Sequence, residues 1–406
     1  MFGSWDGPPF SPRPEVSQET ARLWSKCDPS RATPAWLKPS LLRNGPLTMA
    51  EELEFLSRES APPAYEIRDL GLLDDGRYCH ALGINSHGVV VGEADTTAGV
   101  HAFVWRGGLI VDLGRGIRLS SKAIDINDDG MALGIAELDP FDGPAGVLWT
   151  GENLVDLSKL GIPGSGVRAI NNQGQIVGEA ALDDRRPPGA FLWTLGNITD
   201  LSGEYVDGGT AEAINNYGQV AGCITTLRQF DQAFFWSDGE FRDLGFGQAR
   251  AINDHSVVAG ITYQGNARPI ACFWREFHRR EIPLLPGFVS SEALAINDGG
   301  EIVGAMIGDD GSRIAFLWKR EYAIDLNDVI DLALGWNLQE ARAINNSGQI
   351  VGWGYLEHRH HGFLLTPNDR DSSRSAHLPP PREGAERVSV PDVVVEREES
   401  SIFIFR

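Results

Sequence analysis

From Tyr65 to Thr366 the chain alternates short apolar runs with turn residues, and no helical period interrupts them. One phrase, of the type Ala-Ile-Asn-x-x-Gly-Gln-Ile-Val-Gly, recurs seven times, at 83–92, 125–134, 169–178, 213–222, 251–260, 295–304 and 343–352. Its asparagines are Asn85, Asn127, Asn171, Asn215, Asn253, Asn297 and Asn345, spaced by 42, 44, 44, 38, 44 and 48 residues. A period of that length suits four short strands per repeat. A second phrase, Ala-Phe-Leu-Trp in type, ends at Trp105, Trp149, Trp193, Trp236, Trp274 and Trp318, and the seventh copy reads Gly362-Phe363-Leu364-Leu365. A third, Asp-Leu-Gly or Asp-Leu-Ser, follows at Asp112, Asp156, Asp200 and Asp243, with Asp325-Leu326-Asn327 in the sixth unit.

Each phrase reads as a strand rich in Ile, Val, Phe and Trp, bounded by Asn, Asp and Gly turn chemistry. The predicted order is strand A (Ala-Ile-Asn), a tight turn, strand B (Gln-Ile-Val-Gly), a variable loop, strand C (Ala-Phe-Leu-Trp), a second tight turn and strand D (Asp-Leu-Gly). The turn after each Asn, for example Asn171-Asn172-Gln173-Gly174, places Gly where a left-handed backbone is needed. The two ends of the array are complementary: the seventh unit lacks a D strand after Thr366, while residues 65–71 form a D strand with nothing before it. If the N-terminal strand completes the last blade, no long sheet edge is left half-built. The expected fold is therefore all-β, a seven-bladed β-propeller with four strands per blade, the last blade closed by strand 65–71.

The repeated phrases resemble the HAF repeat family, named for a His-Ala-Phe triplet that stands here as His101-Ala102-Phe103. The resemblance covers roughly residues 65–366. It implies a propeller-type repeat protein of the kind often exported and without an assigned activity. Most copies here replace the triplet's His, which argues against a repeated His-based site.

Outside the ring, residues 1–60 form an extension with two helix candidates, 17–27 and 48–57. Thr48-Met49-Ala50-Glu51 has capping-box spacing ahead of Leu53, Phe55 and Leu56. The propeller is expected over residues 61–366, and residues 367–406 have linker composition ending in Ile402-Phe403-Ile404-Phe405. Such an apolar alternating end suits strand addition, to a partner or to its own ring.

Composition narrows the function. A formal charge of −21 opposes phosphate-rich partners, so nucleic acid is not expected. No apolar run of about 18 residues supports membrane insertion, and no basic-then-apolar leader stands at the N-terminus, so a cytoplasmic location is favoured. Cys27, Cys79, Cys223 and Cys272 are scattered without a CxxC, which reads as four free thiols. The aspartates of the Asp-Leu phrase stand one per blade. Catalytic pairs need two carboxyls about 5 to 10 Å apart in one cleft, so these read as turn-bonding groups. Acidic variants such as Asn127-Asp128-Asp129-Gly130 read as turn caps, since the alternating ligand series of a calcium loop is missing. The repeat tryptophans read as buried between blades and not as sugar platforms. No nucleophile elbow, P-loop or metalloprotease phrase is present, and neither cofactor nor metal is expected.

The two tight turns lie at one end of the blades, so the variable B–C and D–A connections lie at the other, and varied loops on a rigid ring are where binding resides. The B–C loops supply Arg185, Arg186, Arg228, Arg268, Arg313, His358 and His360 as candidate partner-binding residues. His358 and His360 sit at alternate positions of Glu357-His358-Arg359-His360-His361 and could share a metal, yet a third ligand is not evident. Just before the A phrases stand Arg168, Glu212, Arg250 and Arg342, which fall near one mouth of the central channel if strand A is innermost; salt bridging between blades is their plainer role. The expected function is non-catalytic: a protein-interaction or scaffolding module working through its variable-loop face. A hydrolase or lyase at the channel mouth and a carbohydrate-binding propeller are the rivals.

Overall fold

Among the described residues twenty-eight strands form seven four-stranded sheets, and in each sheet the first three strands follow chain order. The computed structural model describes residues 64–368 apart from positions 75, 118, 140, 142, 152, 163, 165, 183–186, 203–205, 227–230 and 265–267. The N-terminal helix candidates, the C-terminal apolar segment, Arg185, Arg186 and Arg228 lie outside the described residues. Blade 1 runs β2 (Cys79–Ile84), β3 (Val90–Thr96), β4 (Gly99–Arg106) and β5 (Leu109–Asp112), all antiparallel. Blade 7 is β26 (Asn337–Ile344), β27 (Ile350–Leu356) and β28 (Arg359–Pro367), completed by β1 (Tyr65–Asp69). β1 pairs antiparallel with β28 from Tyr65 opposite Pro367 to Asp69 opposite Phe363. The chain is a seven-bladed β-propeller closed by its N-terminal strand.

Seven A strands line the axis: β2, β6 (Ser121–Ile126), β10 (Val167–Ile170), β14 (Val206–Ile214), β18 (Gln248–Ile252), β22 (Phe288–Ile296) and β26, each touching the next and β26 touching β2. The motif asparagine ends each A strand, and it makes the ring. Its Nδ2 donates to the backbone carbonyl of the corresponding asparagine in the following blade: Asn85 to Asn127 (3.1 Å), Asn127 to Asn171 (3.1 Å), Asn171 to Asn215 (3.0 Å) and Asn215 to Asn253 (2.9 Å). Asn253 donates to Asn297 (3.0 Å), Asn297 to Asn345 (3.2 Å), and Asn345 back to Asn85 (3.0 Å). The same side chain's Oδ1 accepts the N–H four residues on, so one buried amide both caps its own turn and couples two blades. A second course runs beneath it, from Ser86 N–H to Asp128 Oδ1 and onward to Asn346. Asp128 and Asp298 are occupied there as turn acceptors.

The turn glycines Gly174, Gly218 and Gly348 have φ of 72°, 74° and 74°, in the left-handed region. Blade 5 puts Ser256 at that position with φ 59°. The final motif glycine has a different cause. Every A–B pair carries a register shift three residues before the asparagine, at Leu82, Ile124, Arg168, Glu212, Arg250, Leu294 and Arg342. The strand-B glycine opposite leaves no room for a side chain: a Cβ on Gly92, Gly222 or Gly352 would collide with the carbonyl oxygen of His80, Thr210 or Glu340. Such a bulge adds one residue to the inner strand and re-aims its side chain.

The apolar core is divided among the seams. Seven clusters of buried side chains each span two neighbouring blades, and the one joining Cys79, Ala81, Phe103 and Trp105 to Val351 and Leu364 closes blade 7 on blade 1. Repeat tryptophans sit in these seams: Trp105, Trp149, Trp274 and Trp318 are buried, and Trp149 and Trp274 donate Nε1–H to Leu113 and Leu244 of the preceding blade. The Asp-Leu aspartates accept the N–H two residues on, as in Asp69 to Gly71 and Asp243 to Gly245. After Asp156 and Asp325 the same bond starts a short 3-10 turn, Leu157–Leu160 and Leu326–Asp328, which the strand pattern did not predict.

β1 contributes buried Tyr65, and Leu70 just after it is buried in the closing seam. Deleting residues 1–71 should therefore cost at least about 3 kcal/mol of stability and promote aggregation, from two lost apolar anchors and an exposed β28 edge. Deleting residues 1–60 should be mild. Chemical denaturation of both truncations checks this, and equal midpoints would refute closure by β1.

Candidate functional site

The Asn courses close the tight-turn end with a repeated pattern. At the opposite end, where the A strands begin, the side chains differ from blade to blade. The bulge fills four of the seven re-aimed positions with charge, at Arg168, Glu212, Arg250 and Arg342, and the other three with Leu82, Ile124 and Leu294. All four sequence-predicted mouth residues thus occupy one structural position.

Their charges are largely paired across blades. Arg168 Nη2 lies 3.0 Å from Glu179 Oε1, and its Nε lies 3.7 Å from Glu212 Oε2 on the next blade. Arg250 Nη1 lies 3.0 Å from Glu292 Oε2. Arg313 and Arg342 both contact Glu340. Gln248 Nε2 donates to Asp231 Oδ2 at 2.7 Å. Burial raises the Glu212 carboxyl, against the pull of Arg168 and Arg250, and burial lowers both Arg313 and Arg342. Arg268 opens the C strand of blade 5 and does not lie in the B–C loop expected for it; it stands apart from this group, paired with Asp309 of the next blade's B–C loop at 3.0 Å.

Where blade 7 meets blade 1 the mouth becomes aromatic. Glu357 and His358 form a two-residue turn with φ of 49° and 67°, so the expected loop is a tight hairpin and His360 belongs to β28. His360 stacks on Trp353 with centroids 4.8 Å apart and planes 11° apart, and Tyr355 meets it edge-on at 4.7 Å. On blade 1, His80 Nε2 lies 3.1 Å from His360 Nδ1, Tyr78 packs on the His80 ring, and His80 Nδ1 lies 3.7 Å from Glu93. Glu93, His80 and His360 form a chain of three. The His80 bond holds the Glu93 carboxyl below its ordinary range, while burial, then the His80 charge, lowers His360. Burial, with Glu93 and Asp95 beside it, pushes the Tyr78 phenol up to about 12.

Sequence reasoning reached Arg168, Glu212, Arg250, Arg313, Arg342 and His360, and it missed Tyr78, His80, Glu93, Trp353 and Tyr355. A signal was present. The residue after each strand-B glycine is Glu93, Ile135, Glu179, Cys223, Ile261, Ala305 and Trp353, so tryptophan appears there once. Among the described residues no group of three or more His, Cys, Asp or Glu side chains is arranged to hold a metal, and no helix is long and apolar enough to cross a membrane. The triplet histidine pairs with the D-strand aspartate in two blades: His101 Nδ1 to Asp112 at 3.1 Å and His361 Nδ1 to Asp69 at 3.0 Å.

No protein-family model matches the chain, so its likeness to the HAF repeat is one of phrase and spacing. No curated protein matches it either. Among solved structures it is similar to YCF48 bound to a D1 peptide, at 14% identity over 76% of this chain and 97% of that one, with a TM-score of 0.45. It is similar to a streptogramin B lyase at 11% identity over 75% of this chain and 98% of that one, with a TM-score of 0.42. TolB from Acinetobacter baumannii shares 11% identity over 50% of this chain, which spans about half (53%) of TolB's length, with a TM-score of 0.39. These are likenesses of fold.

One carboxylate of the inner wall is out of step with its repeat. Asp125 stands where five blades have Ala169, Ala213, Ala251, Ala295 and Ala343, and it accepts N–H bonds from Ile126 and, across the seam, from Ile170, both at 2.8 Å. Burial outweighs those bonds and pushes its carboxyl up to about 6 from 3.8. The folded state therefore holds this proton in a window where the unfolded chain has released it, so Asp125 costs stability above about pH 6 and that cost disappears as pH falls toward 4. Asp125→Ala should remove a pH-dependent component on the order of 1 to 3 kcal/mol between about pH 7.5 and about pH 4.5. Denaturation midpoints at the two pH values check it, and an unchanged difference would count against the assignment.

Proposed function

We propose that the chain is a non-catalytic binding module that takes a segment of another protein on its variable-loop mouth, centred where blades 7 and 1 meet. The observation that carries this reading is the composition of that sector. Trp353, Tyr355, Tyr78 and Arg342 gather at one seam, and Trp, Tyr and Arg are the residue types in which interface binding energy concentrates. Tyr355 is exposed at 37%, and the stacked Trp353 and His360 are half-buried, which suits a platform with a rigid apolar body and a wet edge. The variable loops carrying Arg185, Arg186 and Arg228, with Arg268 at the start of its strand, supply the rim in this reading, and a carbohydrate role resting on the repeat tryptophans loses its basis where four of the six are buried.

A second reading, a hydrolase or lyase, has one observation in its favour. The Glu93–His80–His360 chain is a carboxylate–imidazole–imidazole series unique to this seam among the described residues, a form general-base catalysis uses. The binding reading is preferred because the groups packed on that series are aromatic rings, Tyr78, Trp353 and Tyr355.

Selection of displayed 12-residue peptides against the full chain tests the proposal. Selected peptides should compete for one site, and Trp353→Ala should weaken them about 30-fold, the equivalent of about 2 kcal/mol. Replacing Asn172, Asn216 and Asn346 together by Ala, at the other end, should leave affinity within about twofold while lowering stability by up to about 1 kcal/mol per lost hydrogen bond. Affinity lost only in the Asn variant would move the working face to the tight-turn end of the ring. Ester or lactone turnover abolished by His360→Gln would favour the enzyme.

A further inference from the structure

Charge at the mouth is unevenly distributed. On blades 5 to 7 three guanidinium groups, Arg250, Arg313 and Arg342, face two carboxylates, Glu292 and Glu340. Glu340 serves both Arg313 and Arg342, and the Nε of Arg313 and the Oε1 of Glu340 are both buried with no hydrogen-bond partner. The adjoining blades 1 and 2 bring Glu93 and Lys122, which offset one another. On blades 3 and 4 the balance reverses, with Arg168 against Glu179 and Glu212 and with Asp231 beside them, and Arg250 reaches Glu212 as well. A local surplus of positive charge thus sits, partly desolvated, in a chain whose formal charge is −21.

We propose that Arg250, Arg313 and Arg342 form an oxyanion site, the anchor for a carboxylate or phosphate group carried by the bound segment. The inference rests on the binding reading of this mouth and specifies its chemistry. Guanidinium forks match carboxylate and phosphate oxygens with paired, charge-assisted hydrogen bonds. Burial is the main force that disfavours charge on Arg313 and Arg342; Arg250 adds to it at both and Arg342 at Arg313, while Glu292 opposes it, so a further anion would relieve what remains. The platform adjoins the site directly. Glu340 and Trp353 are register partners on β26 and β27, so the carboxylate that holds the two arginines and the ring that stacks on His360 rise from one face of blade 7. A ligand with a planar group next to its anion meets both.

Titration calorimetry of the full chain with inorganic phosphate and with acetate, at matched ionic strength, is the test. Saturable binding of at least one is expected, weakened at least tenfold by Arg342→Gln and by Arg313→Gln. Arg280→Gln, which breaks an exterior pair with Glu321 (2.9 Å), should change it less than twofold. Arg342→Lys keeps the charge and loses the fork, so it should fall between wild type and Arg342→Gln, which keeps the test decisive if a Gln variant folds poorly. Tighter phosphate points to a phosphorylated segment, tighter acetate to a carboxylate. Absence of saturable binding by wild type, or equal weakening by Arg280→Gln, overturns the site. The two readings fail separately: peptides that need Trp353 but are not displaced by phosphate or acetate would leave the binding module standing and remove its anion anchor.

Discussion

Seven asparagine side chains hold this ring in register, and the rest of the molecule is built outward from them. Each Nδ2–H crosses to the next blade's asparagine carbonyl, while Oδ1 accepts N–H groups of its own turn. A buried amide left half-bonded costs about 1 to 3 kcal/mol per unmet group, so each position selects asparagine over anything of similar size. Aspartate has the shape but no donor for the crossing bond. The last link, from Asn345 to Asn85, joins residues 260 positions apart and is as short as the others, which makes ring closure a matter of the same chemistry as every other seam. The second course lacks that link because Ser86, with a hydroxyl, stands where the other blades offer an Asn or Asp oxygen.

From that fixed end the strands run toward a mouth that is free to vary. The glycine of strand B admits a bulge in strand A, and the bulge turns one residue per blade toward the axis. Backbone geometry thus repeats while side chains at the re-aimed position do not: three are apolar and four are charged. Burial of those charges is offset by pairing between blades, as in Arg168 with Glu212 and Arg250 with Glu292, so the same groups that tie the seams also line the channel. Binding and stability share residues here. The blade 7 and blade 1 seam, where β1 closes the ring, adds aromatic rings to this pattern.

Much of the fold was legible because repetition averages out local ambiguity. Seven copies identified the strand order, the left-handed Gly174 and its equivalents, the burial of four of the six repeat tryptophans and the capping aspartates, and the orphan strand at Tyr65 declared its partner through the missing seventh D strand; Trp193 and Trp236 are half-buried. What repetition hides is the exception. His80 and His360 meet across 280 residues of sequence, and neither belongs to a local phrase. The polar composition of the histidine run at 358–361 suggests a loop, whereas a two-residue turn and strand pairing, Tyr355 opposite His360, set it in a sheet. Trp353 was visible only as a departure from its column of repeats. The bulge was not legible at all, since the clash that demands Gly352 involves a carbonyl on another strand.

Native-state hydrogen exchange tests the closed asparagine ring most directly. The amides of Val89, Met131, Gln175, Gln219, Val257, Glu301 and Gln349 each donate to a motif asparagine at 2.9 or 3.0 Å, one in every blade. If the ring is one continuous course, all seven exchange through the same global opening and show the same free energy within about 1 kcal/mol. Exchange of Val89 and Gln349 orders of magnitude faster than Gln219 would show an open seam between the last blade and the first, and would contradict the account.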